Sequence, residues 1–72
     1  MKLENLKIIR KQKGLSKREL SEISGVAQDT INNLELGRTN AYEVKISTMV
    51  KLAKALKVKV RHLVPVDIKK YF

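Results

Sequence analysis

Cysteine is absent from this 72-residue chain, proline occurs once and glycine three times. Without cysteine, the chain can form neither a disulfide nor a thiolate zinc site. Its single histidine, His62, has no second histidine or cysteine with which to bind a metal or to activate a nucleophile. These absences predict a protein that is not an enzyme, that carries no metal or other cofactor and that has no evident small-molecule substrate.

Long apolar runs are also lacking, so no segment is expected to span a membrane. The first residues, MKLENLKIIRKQKG, carry charges throughout instead of the apolar core of a signal peptide. We therefore expect a cytoplasmic protein with no membrane partner. Acidic residues are scarce, with 7 against 16 basic residues and a net charge of +9. Such an excess favours a polyanionic partner such as nucleic acid, although solubility alone also explains it.

The apolar residues recur every three or four positions, which is the period of amphipathic helices and not of strands. The pattern predicts five short helices: about residues 3–13, 17–24 and 28–36, a fourth that starts near residue 46, and a fifth around residues 60–64 that Pro65 ends. The fourth helix is expected to bury Ile46, Met49, Val50, Ala53 and Leu56. The sequence thus predicts one all-α domain over residues 1–72, with its core at about residues 3–64 and a C-terminal tail at 65–72.

Local signals mark the ends of these helices. Ser16 and Glu19 form the S-x-x-E pattern of a capping box, which starts the second helix. Glycines at positions 14, 25 and 37 follow the first three helices, where a left-handed residue commonly ends a helix.

The second and third predicted helices have the spacing of a helix-turn-helix. Two short helices that cross steeply need a small residue at the crossing, and Ser21 has that position. Gly25 follows four residues later for the turn, and the branched apolar residues Ile31 and Leu34 then face the core. Leu20 and Val26 flank the same crossing, so six positions agree within fifteen residues.

From about Leu3 to Val64, the chain closely resembles the phage repressor and Cro-type helix-turn-helix family, also called the xenobiotic-response-element family. The resemblance rests on the stretches LKIIRKQKGLS, RELSEISGV, TINNLELGRTN and KLAKALKV. It implies a compact five-helix, lambda-repressor-like domain that binds operator DNA, usually as a homodimer, to control transcription. The chain departs from the family at Lys17 (usually Gln), at Ser21 (usually Ala) and at Ala41, which follows Asn40 where the family usually has Pro.

The resemblance implies that the outer face of the third helix enters the major groove, and it selects five residues for base contacts: Gln28, Asp29, Thr30, Asn32 and Asn33. Glutamine and asparagine suit adenine, since each offers a donor and an acceptor to its major-groove edge. The alternative is a solvated helix face. Asp29 could accept a hydrogen bond from cytosine, but its place near the helix start is also explained by the helix dipole.

Phosphate contacts are expected from residues at the start of the second helix and after the third: Ser16, Lys17, Arg18, Arg38 and Thr39. Residues 16–43 carry a net charge of −2, which counts against DNA binding by this segment alone. The flanks compensate, with +4 over residues 1–15 and +7 over residues 44–72. The lysines of the fourth helix could form a second anion-binding surface or a solvated face.

The resemblance further pairs Arg10 in the first helix with Glu35 near the end of the third, as a structural ion pair. The tail contributes the apolar residues Val66, Ile68, Tyr71 and Phe72, which could join two copies in a homodimer or pack back on their own domain. The function expected first is a sequence-specific DNA-binding repressor. The alternative is a protein-interaction module, such as an antitoxin or anti-repressor with weak DNA binding.

Overall fold

The computed structural model describes residues 4–39 and 44–63. This part of the chain forms four α-helices and no strand: α1 (Glu4–Gln12), α2 (Lys17–Ser24), α3 (Gln28–Leu36) and α4 (Ile46–Leu56). The bounds of α2 and α3 agree with the sequence prediction. Helix α1 ends one residue earlier than predicted, and its expected first residue lies outside the described residues. The predicted tail at 65–72 also lies outside them.

The prediction of a fifth α-helix is wrong for the described residues. Val60–His62 form a single 3-10 turn, in which His62 N–H donates to the Lys59 carbonyl and Leu63 N–H donates to that of Val60. An α-turn needs a further residue with helical dihedrals, and the residue that precedes a proline disfavours them. The turn still buries Leu63 in the core. It is held against α1 by a hydrogen bond of 3.0 Å from the Asn5 side chain to the His62 carbonyl.

One hydrophobic core lies between the four helices. Helix α2 packs against both α3 and α4, and α1 packs against α3. Ten apolar residues are buried there: Leu6, Leu20, Val26, Ile31, Leu34, Met49, Leu52, Ala53, Leu56 and Leu63. Each fully buried leucine or isoleucine contributes roughly 1.5–3 kcal/mol before the entropic cost of ordering is counted. These contacts fix the angle at which α3 crosses α2.

The buried face of α4 differs from the prediction at three positions. Leu52 is fully buried, although the sequence pattern did not select it, whereas Ile46 is 64% exposed and Val50 is only half-buried. Met49, Leu52, Ala53 and Leu56 follow the three- and four-residue spacing of one helix face. Ile46 has the right phase for this face, but it is the first residue of the helix, and no element of the described residues covers it.

The corner between α2 and α3 is held by short-range hydrogen bonds. Gly25 has φ +76°, a left-handed conformation that glycine adopts without strain, and its N–H donates to the Ser21 carbonyl. The Ser21 hydroxyl donates to the Val26 carbonyl at 2.7 Å, and Val26 N–H donates to the Ser24 hydroxyl at 3.1 Å. Serine at position 21 therefore supplies a bond across the turn that alanine cannot make.

The start of α3 lacks a side-chain cap. Its N-cap residue is Ala27 (φ −57°, ψ 139°), whose side chain has no oxygen to accept a hydrogen bond. We expect Ala27→Ser to raise the free energy of unfolding by about 1 kcal/mol, because the hydroxyl would accept from an N–H of the first turn. Urea denaturation of both chains measures this. Ala27→Val, which adds volume without an acceptor, is the control and should give no gain.

Candidate nucleic-acid interface

The outer side of α3 carries all five residues that were predicted to contact bases. Gln28 and Asp29 are exposed, and Thr30, Asn32 and Asn33 are half-buried. The opposite side of the helix buries Ile31, Leu34 and Glu35. Since 3.6 residues make one turn, fixing these three inward sets the direction of the polar side chains. The side of α3 that faces away from the core therefore presents mainly polar side chains, with Leu36 at its end 46% exposed.

Asp29 lies in the first turn of α3 but does not cap it, because Ala27 is the N-cap residue. Its carboxylate has no cationic side chain within 4 Å among residues 4–39 and 44–63. The negative charge is favourable at the positive end of the helix dipole. The structure is therefore consistent with the dipole explanation and leaves the carboxylate accessible to a base.

The N-terminus of α2 is organised by a complete capping box. The Ser16 hydroxyl accepts from Glu19 N–H at 3.0 Å, and the Glu19 carboxylate accepts from Ser16 N–H at 3.1 Å. The N–H groups of Lys17 and Arg18 have no acceptor in the described part of the chain. These two groups, and not the N–H of Ser16, are free to donate to a phosphate.

The cationic residues at this end of α2 make different contacts. Arg18 forms an exposed ion pair with Glu22 at 3.2 Å, one helical turn further along. Such a pair contributes little to stability and can exchange for a phosphate. Lys17 instead reaches across to α3, where its ammonium donates to the Asn32 side-chain oxygen at 2.6 Å. Sequence reasoning placed Lys17 and Asn32 at the interface but missed the bond between them, because they are 15 positions apart and only the crossing of the helices brings them together.

Arg38 and Thr39 follow α3. Gly37 ends the helix with φ +76°, and Arg38 N–H donates to the Asn33 carbonyl at 2.9 Å. The Arg38 side chain is exposed and Thr39 is half-buried. The backbone of this turn is therefore fixed while the guanidinium remains accessible. The residues Asn40 and Ala41, where the sequence departs from the family, lie outside the described residues.

Arg10 connects α3 to the rest of the domain. Its guanidinium donates to both Glu35 carboxylate oxygens, at 2.7 and 3.0 Å, and to the Leu15 carbonyl at 2.8 Å. The side chains of the pair are only 8% and 1% exposed. The hydrogen bond to Glu35 raises the pKa of the Arg10 guanidinium, burial acts in the opposite direction, and the Glu35 charge adds to the rise. Arg10 therefore stays charged at neutral pH and fixes the inner side of the predicted recognition helix.

A helix-turn-helix family model of the Cro/cI type matches residues 6–63, which is most of the chain. The chain belongs to the Cro/cI-type helix-turn-helix family. This membership supports a DNA-binding transcriptional regulator, and double-stranded DNA as its partner. No curated protein and no solved structure matches the chain at a significant level.

The positive charge of this Cro/cI-type domain extends over α4 and the 3-10 turn. Lys51, Lys54, Lys57, Lys59 and Arg61 are all exposed. None of the described helices is long and apolar enough to cross a bilayer. Over residues 4–39 and 44–63, no cluster of acidic residues or histidine could hold a metal ion. The family assignment thus coincides with an exposed cationic surface on α4 and the 3-10 turn.

Proposed function

We propose that the protein is a sequence-specific repressor that reads the major groove of operator DNA with α3. The observation that carries this proposal is the two-sided construction of that helix. Its inner side is fixed by buried leucine and isoleucine side chains and by the bidentate Arg10–Glu35 pair. Its outer side offers amide, hydroxyl and carboxylate groups, which are the groups that hydrogen-bond to base edges.

The proposed contacts fall into two groups. Base edges are read by Gln28, Asp29, Thr30, Asn32 and Asn33. Phosphates are bound by the Ser16 hydroxyl, which can still donate its hydrogen, and by Lys17, Arg18, Arg38 and Thr39. The exposed lysines of α4 add to the long-range attraction of DNA, which offsets the negative charge of the helix-turn-helix segment.

We further propose that the protein acts in the cytoplasm as a homodimer on a two-fold repeated site. One α3 reads only a few base pairs, so two copies are needed for an operator of useful length. The apolar residues of the tail are the proposed contact between copies. Selection of bound sites from random duplex DNA tests this, since a dimer enriches two inverted half-sites. A single half-site, with a monomer mass in sedimentation, would contradict the homodimer.

Replacing Gln28 by Ala is expected to weaken binding to the selected site by about 1–3 kcal/mol and to leave binding to random DNA nearly unchanged. Arg38→Ala should instead weaken binding to both, because phosphates carry no sequence information. Titrations across a salt series measure both affinities. For the wild-type chain, log K should fall by about 0.9 per phosphate neutralised for each unit of log salt concentration, and Arg38→Ala should lower this slope by about one phosphate. The same profile for both variants would contradict the division of contacts.

A protein-interaction module is the second candidate. Four large apolar side chains are exposed among the described residues: Ile8, Ile23, Leu36 and Ile46. Together with the net charge of −2 over residues 16–43, they would suit a protein partner better than a phosphate backbone. The salt series separates the two candidates, since the absence of measurable affinity for duplex DNA even at low salt would favour the interaction module.

A further inference from the structure

We propose that Lys17 is a positioning residue for Asn32, and that the two side chains together select guanine at one position of each half-site. The inference rests on the proposed function, because it assumes that α3 reads bases. It starts from one contact, the 2.6 Å hydrogen bond that joins the Lys17 ammonium to the Asn32 side-chain oxygen. This bond links the first residue of α2 to the middle of α3.

The chemistry of the pair fixes the orientation of the Asn32 amide. An ammonium is a donor only, so the amide atom that faces it must be the oxygen. The NH₂ group diverges from the same carbon and is therefore directed away from Lys17. It has no acceptor among residues 4–39 and 44–63, so both of its hydrogens are available to a ligand.

The Lys17 charge is not neutralised by the fold. No carboxylate of the described residues lies within 4 Å of the ammonium, whereas the neighbouring Arg18 has Glu22 as its partner. A cation in the first turn also opposes the helix dipole, so lysine at this position does not stabilise α2. Two ammonium hydrogens remain after the bond to Asn32, and they can bind a phosphate or a base acceptor.

The pair therefore presents donors where a free asparagine would present a donor and an acceptor. Adenine is read by asparagine through both atoms, because its major-groove edge offers an acceptor at N7 and a donor at N6. With Lys17 on the oxygen, the positive charge repels the N6 donor. Guanine offers two acceptors, N7 and O6, and matches the pair. The Lys17–Asn32 pair should thus exclude adenine, although Asn32 alone favours it.

The test is site selection from a random-sequence duplex library, with the full chain and with the variants Lys17→Met, Asn32→Ala and Arg18→Met. For the wild-type chain, the position that depends on Asn32 should be guanine. Lys17→Met should lower the preference for guanine over adenine at that position by about tenfold and leave the other positions unchanged. Asn32→Ala should abolish the preference at the same position. In the double variant Lys17→Met, Asn32→Ala, the loss of Lys17 should add nothing to the effect of Asn32→Ala at that position.

Arg18→Met is the matched control, since it removes a positive charge from the adjacent residue. It should lower affinity for all sequences and preserve the guanine preference. The proposal is overturned if Lys17→Met has the same profile as Arg18→Met, or if the wild-type chain selects adenine where Asn32 acts.

A measurement without DNA separates this proposal from the proposed function. In the absence of DNA, Lys17→Met should shift the side-chain NH₂ resonances of Asn32 from their wild-type positions, while Arg18→Met should leave them in place. Unshifted resonances would refute the positioning role. Shifted resonances together with no enrichment of any sequence would refute both base reading by α3 and the guanine preference that depends on it.

Discussion

Arg10→Met is expected to lower the free energy of unfolding by about 3–5 kcal/mol, because it leaves the Glu35 carboxylate buried without a partner. The carboxylate is 1% exposed and lies near the C-terminus of α3, where the helix dipole also disfavours a negative charge. The Leu15 carbonyl would lose its donor at the same time. A domain of this size has only a few kcal/mol of stability, so the variant should be largely unfolded at 37 °C. Urea denaturation followed by circular dichroism measures the loss.

The double variant Arg10→Met, Glu35→Leu tests the origin of this loss of stability. The loss could come from leaving the Glu35 carboxylate buried without a partner, or from losing a strong attraction between the two charges. Removing both charges leaves no buried ion, and an apolar pair of similar volume should recover much of the lost stability. Equal instability of the single and double variants would contradict this explanation.

The raised pKa of Arg10 predicts that the wild-type ion pair loses none of its contribution to stability at neutral pH. A raised pKa gives a contribution that is fully present below the unfolded value and is lost only as the pH rises through the folded one.

Leu52→Ala is expected to lower the free energy of unfolding by about 2–5 kcal/mol, because Leu52 is fully buried in the core. The same helix offers a matched control in Ile46, which is similar in size and 64% exposed. Ile46→Ala should change stability by no more than about 0.5 kcal/mol. Thermal unfolding of the two variants measures the difference. Comparable losses would contradict this assignment of a buried and an exposed position.

The contrast between Leu52 and Ile46 shows where sequence reasoning about this fold succeeds and where it fails. The start of α2 and the ends of both α2 and α3 could be predicted, because a capping box marks the first and a glycine marks each of the others. The face of α4 could not, because apolar residues occur at several phases of the helix and only packing against α2 selects among them. The fifth helix failed for a related reason, since its apolar residues fit a helix but too few positions precede Pro65.

The candidate interface shows the same limit. The polar face of α3 could be predicted from the period of the helix and from the inward positions Ile31 and Leu34. The Lys17–Asn32 bond could not, because it depends on the angle and depth of the crossing between two helices. The capping box, in contrast, is a local contact, so both of its bonds could be predicted, including the one from the Ser16 N–H to the Glu19 carboxylate. Local sequence therefore predicts which groups are present, and tertiary contacts decide which of their atoms remain free.

The sequence separation of the contacts described above implies an order of assembly. The bonds of the α2–α3 corner span five residues or fewer, and the Arg10–Glu35 pair spans 25. All of these partners lie before residue 39. The core, in contrast, needs α4, and the Asn5–His62 bond closes a separation of 57 residues. During synthesis, the α2–α3 corner and the Arg10–Glu35 pair can therefore form before α4, which completes the core, has been made.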